Sequence, residues 1–185
     1  MSRRADPVAQ TRVWVRDVVR SGLLRPEEEY AEVVAVVAAD HPRLDAQGTA
    51  RDWIAVERSA WATEAQTWPR PTDHERLEGA FAAIREAGLL VLAPCVDHWA
   101  ARDALREHPG AAGVVWFRPE DVWHAIDEPM LELNLWHPST ANAAPGDRLL
   151  DDVLGLLRAH GLPARFDEGR VEVAARWRRL PLSPG

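Results

Sequence analysis

The chain of 185 residues has no lysine, a single cysteine and a single tyrosine, and no apolar run that approaches a membrane span. Cys95 alone cannot close an internal disulfide, so the fold does not depend on an oxidising compartment. The longest apolar stretches, such as 31–39, fall far short of the ~20 residues a bilayer crossing needs, and no membrane partner is expected. Met1 to Arg4 is basic, but Asp6, Pro7, Gln10 and Arg12 interrupt the next stretch, which does not fit a secretory signal. A cytoplasmic location is the expectation. All 22 basic residues are arginine, and with abundant alanine and proline this reads as the mark of a GC-rich genome rather than of a chemistry.

Several chemical signatures are also missing. Gly110 to Gly113 carries neither the Gly-Lys-Ser/Thr ending nor the preceding strand of a phosphate-binding loop. There is no dinucleotide fingerprint, no serine-centred nucleophile elbow and no kinase signature. The net charge of −7 leaves no general basic field for phosphates. Arginines do gather at the two ends, with Arg3, Arg4, Arg12, Arg16, Arg20 and Arg25 at the start and Arg176, Arg178 and Arg179 at the finish. Such dispersed charge reads as solvated surface, so nucleic acid is not favoured as a partner.

What is present is enough apolar residue, 46% of the chain, for an ordinary globular core, and a length that suits one domain or one domain with a helical appendage. The first third reads as three helices, over 8–24, 26–39 and 49–67. Pro26 with Glu27, Glu28 and Glu29 makes a favourable helix start. The run Trp68-Pro69-Arg70-Pro71 breaks the chain, so the expected organisation is a helical N-terminal segment over 1–71 and a second part over 72–185. Thr72-Asp73-His74-Glu75 has the form of a capping box. Leu77, Ala80, Phe81 and Ile84 form a stripe at helical spacing, and Gly88 suits the helix end.

The remainder predicts a strand over 89–93, a helix over 97–107, a strand over 112–118, a helical turn over 119–126 and a strand over 130–136. The last alternates cleanly, with Leu131, Leu133 and Leu135 on one side and Glu132 and Asn134 on the other. A helix-glycine-strand unit around Leu150, Leu157 and Gly161 parallels the one around Leu77, Ile84 and Gly88, which reads as a common junction rather than a duplication. A hairpin over 164–177 closes the chain, with Gly169 in a three-residue loop. The fold class expected is α+β: a helical segment followed by a ferredoxin-like antiparallel sheet, β-α-β-β-α-β plus one hairpin strand.

The motifs Thr72-Asp73-x-x-Arg76-Leu77, Ala80-Phe81-Ala82-Ala83, Gly88-Leu89 and Trp177-Arg178-Arg179 carry a resemblance. Over about 72–179 the chain resembles an uncharacterised actinobacterial family classed as a domain of unknown function. The resemblance implies no assigned activity. It also implies a cysteine cluster just after the first strand, where this chain has Cys95 alone and carries His98 at a cysteine's place.

Candidate chemistry centres on Pro94 to Trp99. Cys95-x-x-His98 has the spacing of half a zinc site, and Asp97 adds an oxygen ligand. A second pair is missing, so His124 or His137 would have to complete the site, and zinc is not the favoured reading. The competing reading makes Asp97 a helix cap and Cys95 a buried thiol. The same residues define the alternative of a thiol- or metal-dependent enzyme, in which His98 is a base for Cys95. A looser acid–base group would join Glu120, Asp121, His124, Glu132 and His137.

The nine tryptophans are the compositional oddity. Most suit a core, but tryptophan also concentrates at interfaces, and Trp99, Trp116, Trp123 and Trp136 are the candidates for a binding surface. With no purpose-built reactive centre in view, the expected function is a non-catalytic binding or regulatory module that contacts another protein or itself.

Overall fold

Caps decide where the helices begin and end. In the computed structural model, which describes residues 6–181, seven helices and five strands succeed one another. α1 (Pro7–Ser21) starts with its Asp6 carboxylate accepting from the Val8 N–H and stops at Gly22, whose φ of 59° is left-handed. α2 (Pro26–Asp40) begins on its proline, with Glu27, Glu28 and Glu29 in the first turn. α3 (Ala46–Ala65) starts earlier than its apolar pattern predicts, after Asp45. Val15, Val19, Val33, Val37, Ala50 and Ile54 form the shared core of these three helices.

Glu29 and Arg20 are among the buried polar residues of this helical unit. Glu29 is buried and receives Arg58 at 2.8 Å, and burial pushes its carboxyl pKa up against the pull of that guanidinium. Arg20 lies over the Trp61 ring at 4.8 Å and meets Glu64 at 3.0 Å. The chain divides into two compact units. One takes in the described chain up to Trp68 and again from Arg179, and the other is Pro69–Arg178. The Trp61 indole donates to the Arg179 carbonyl at 3.0 Å, which ties the end of the chain to the first unit.

In the second unit, α4 (Asp73–Glu86) carries the capping box: the Glu75 N–H donates to Thr72 Oγ1 and the Thr72 N–H to Glu75 Oε2. Its end is a Schellman turn, with Gly88 N–H on the Arg85 carbonyl and Leu89 N–H on that of Ile84. The end of α7 (Arg148–Ala159) repeats the same pair of bonds, Gly161 to Arg158 and Leu162 to Leu157. The likeness of the two sequence units is therefore a shared cap. The strands after them differ: β1 (Leu90–Leu92) and β4 (Ala164–Asp167) lie at opposite edges of the sheet.

The sheet order is β1-β2-β3-β5-β4, with β2 at Val114–Trp116, β3 at Leu131–Trp136 and β5 at Arg170–Val173. The α+β class holds, but the ferredoxin-like antiparallel sheet does not describe this order. In that arrangement another strand separates the parallel pair, whereas here β1 and β2, joined by α5 (His98–Glu107), pair directly and in parallel. The other three pairings are antiparallel, so the sheet is mixed. The physical reason is the connection: α5 returns the chain beside its own starting strand, and α6 (Pro119–Asp127) then reverses it for β3.

Leu131, Leu133, Leu135, Val171 and Val173 are buried on the face shared with Phe117, whose ring stacks on Phe81 of α4. The opposite face carries Leu90, Leu92, Val114 and Trp116 against Ala101 and Leu105 of α5. Beyond α5 that face turns polar, through Glu132 and Asn134 to Arg170 and Glu172.

The final hairpin corrects a further detail. Its loop has two residues, Glu168 (φ 44°) and Gly169 (φ 88°), between Asp167 and Arg170, not three. Both φ values are positive, as a type I′ turn requires, and glutamate fits that region poorly. Glu168→Asn is therefore expected to stabilise the protein by about 0.5–1 kcal/mol in urea unfolding, since asparagine enters the left-handed region more readily.

Candidate functional site

The C-terminal ends of the parallel strands β1 and β2 lie side by side, the position at which α/β units gather ligands. From β1 the chain runs through Pro94 to Asp97 and enters α5. The Cys95 N–H donates to the Phe117 carbonyl at 2.7 Å, and the Cys95 thiol donates to the Asp97 carbonyl at 3.1 Å. Asp97 is the N-cap, its carboxylate accepting from the Ala100 N–H at 2.8 Å. The corner is thus pinned from three directions. It leaves Val96 82% exposed and Trp99 56% exposed, with the His98 ring 4.6 Å from that of Trp99 and Arg102 at 5.6 Å over its face.

Of the three proposed zinc ligands, Cys95 is buried with its thiol turned to a carbonyl, Asp97 uses its carboxylate as a cap, and His98 is exposed against Trp99. Burial pushes the Cys95 pKa up, the reverse of what a nucleophilic thiol needs. Among the described residues no three His, Cys, Asp or Glu side chains gather as a metal site.

The four tryptophans named from the sequence divide. Trp116 and Trp136 meet edge to face at 5.1 Å under the α5 layer, in the cluster that also holds Cys95. Trp99 stands on the surface at the start of α5. Trp123 is half-buried on α6 and forms no ring pair among the described residues.

The looser acid–base group does not assemble as a whole. Asp121 and Glu132 are brought together by Arg170, which pairs with Glu132 and lies 3.7 Å from Asp121. His124 is exposed on α6. His137, beyond the far end of β3, pairs through Nε2 with Asp147 at 2.9 Å. Sequence reading misses Arg170 and the pairing of Asn134 with Trp116. Pairing of strands distant in sequence creates both, and only the alternation of Glu132 and Asn134 along β3 marks that face in advance.

Asp97→Ala removes the α5 cap and is expected to destabilise the protein by about 1 kcal/mol, with faster amide exchange at Ala100 as the direct check. The His137 and Ala144 hydrogen bonds hold the Asp147 carboxyl below its ordinary pKa. Its contribution to stability is therefore present above the unfolded carboxylate pKa and lost as pH falls through the folded value. His137→Ala should move the Asp147 titration, followed by carboxyl NMR, up toward the ordinary aspartate range.

No curated protein and no solved structure matches this chain. A family match extends over residues 4–180, and so takes in the helical unit as well as the sheet-bearing one. The chain accordingly belongs to the family described as a domain of unknown function (DUF6891).

Proposed function

We propose that this chain is a non-catalytic binding module that engages another protein at the corner formed by Val96 and Trp99. The observation that carries the reading is the fate of the tryptophans: of nine, Trp99 alone is exposed. It stands in the first turn of α5, beside Val96 on the preceding loop, and three hydrogen bonds hold the backbone there. An apolar side chain fixed before contact loses little freedom on binding, which is the physical character of an interface hot spot. Engagement of Cys95 and Asp97 in local hydrogen bonds supports the same reading over a metal- or thiol-dependent enzyme. A cytoplasmic setting suits it, since a lone thiol stays reduced there.

Photo-crosslinking from position 99 tests this in cells. A benzophenone amino acid at Trp99 is expected to give one discrete heterologous adduct that Val96→Asp abolishes, while the same group at exposed Arg148 gives none. A crosslink only to a second copy of the chain, or no discrete adduct from position 99, would overturn the reading.

A further inference from the structure

Trp116 is 5% exposed, and its indole N–H is buried without a hydrogen-bond partner among the described residues. Cys95, in the same cluster, already donates its thiol proton to the Asp97 carbonyl. A buried donor without an acceptor is unfavourable in a low-dielectric surrounding, so the N–H marks a place where an acceptor atom is wanted.

Strand register says what lies beside it. Trp116 on β2 stands opposite Asn134 on β3, and the ring of Trp136 meets that of Trp116 edge-on. Asn134 is half-buried. Its amide nitrogen reaches the Trp116 carbonyl at 3.4 Å, and its side-chain oxygen makes no hydrogen bond among the described residues. A residue with a free indole donor and a residue with an amide acceptor are therefore cross-strand neighbours, next to a half-buried aromatic ring. Nearby, Arg170 pairs with Glu132 and lies 3.7 Å from Asp121, so no surplus cation is left there to ask for an anionic ligand.

A peptide group has this chemistry: a carbonyl to accept, an N–H to donate and an apolar side chain alongside. We infer that Trp116, Asn134 and Trp136 form a subsite for one peptide group of an extended segment of the protein partner. The inference deepens the binding-module reading and rests on it. The segment's carbonyl accepts from Trp116 Nε1, its N–H donates to Asn134 Oδ1, and its side chain lies against Trp136. Rotation of Trp136, the more exposed ring of the pair, opens the way.

The test is NMR on the isotope-labelled full chain, with the Trp116 indole signal assigned through Trp116→Phe. The probe is the capped peptide acetyl-Ala-Leu-Ala-N-methylamide, with a control methylated on its central nitrogen. The expected result is a saturable downfield shift of the Trp116 indole proton. Asn134→Leu should weaken binding about fivefold, as should the methylated control, since each removes one hydrogen bond. If Trp116→Phe does not fold, a sulfur isostere of tryptophan at position 116 keeps the ring and removes the N–H, and it should abolish the shift. No movement of the signal up to the solubility of the probe would overturn the subsite. So would a long-lived water cross-relaxing with the indole proton in the free protein, since the donor would already be satisfied. The two readings fail separately: a Trp99 adduct with an unmoved Trp116 signal leaves the module and removes the subsite.

Discussion

β2 is three residues long, and Val114, Val115 and Trp116 are all buried. Its side chains point alternately to the two faces of the sheet, so a layer of helix must cover each face. α4 supplies one layer through Phe81 and Phe117, and α5 supplies the other through Ala101 and Leu105. The strand also joins the two halves of the sheet, parallel to β1 on one side and antiparallel to β3 on the other. The closeness of that second pairing is visible at Gly113, where an added Cβ would lie 2.5 Å from the Trp136 carbonyl oxygen. A side chain there would push β3 away and take Trp136 with it.

The candidate surface results from this double burial. Because α5 must cover β1 and β2, the loop from Cys95 to Asp97 has to turn sharply where the parallel strands end. The hydrogen bonds that make the turn engage the Cys95 thiol and one oxygen of the Asp97 carboxylate. Val96 and Trp99 are left pointing outward. Cys95 and Asp97, which resemble metal ligands in one dimension, thus act as structural fastenings in three. Further across the face, α5 no longer covers the strands, and polar pairs replace apolar ones. Arg165 holds Glu172, Arg170 holds Glu132, and Arg158 donates through two nitrogens to the carbonyl of Ala164 on edge strand β4. A short edge strand with its carbonyl occupied and charges along it resists pairing with other chains.

Much of the local structure is legible in the sequence because its causes are local. The capping box at Thr72 and Glu75, the left-handed stops at Gly22, Gly88 and Gly161, and the alternation along β3 each involve residues a few positions apart. The Asp97 cap is legible for the same reason. Strand order is not. Whether β1 lies beside β2 or has another strand inserted between them depends on how α5 packs back, and no periodicity records that. The hairpin loop reads one residue too long because Glu168 occupies a position where glycine or asparagine would have announced the turn.

The sequence by itself determined most of the elements, their caps and the division of β3 into an apolar and a polar side, since backbone sterics and burial act on neighbours along the chain. Only the tertiary structure decided that Trp116 meets Trp136 and Asn134, that Arg170 joins Asp121 to Glu132, and that Trp99 stays outside. Those outcomes depend on the pairing of strands separated by long stretches of chain, where the energy comes from packing between residues whose positions in sequence carry no mark of one another.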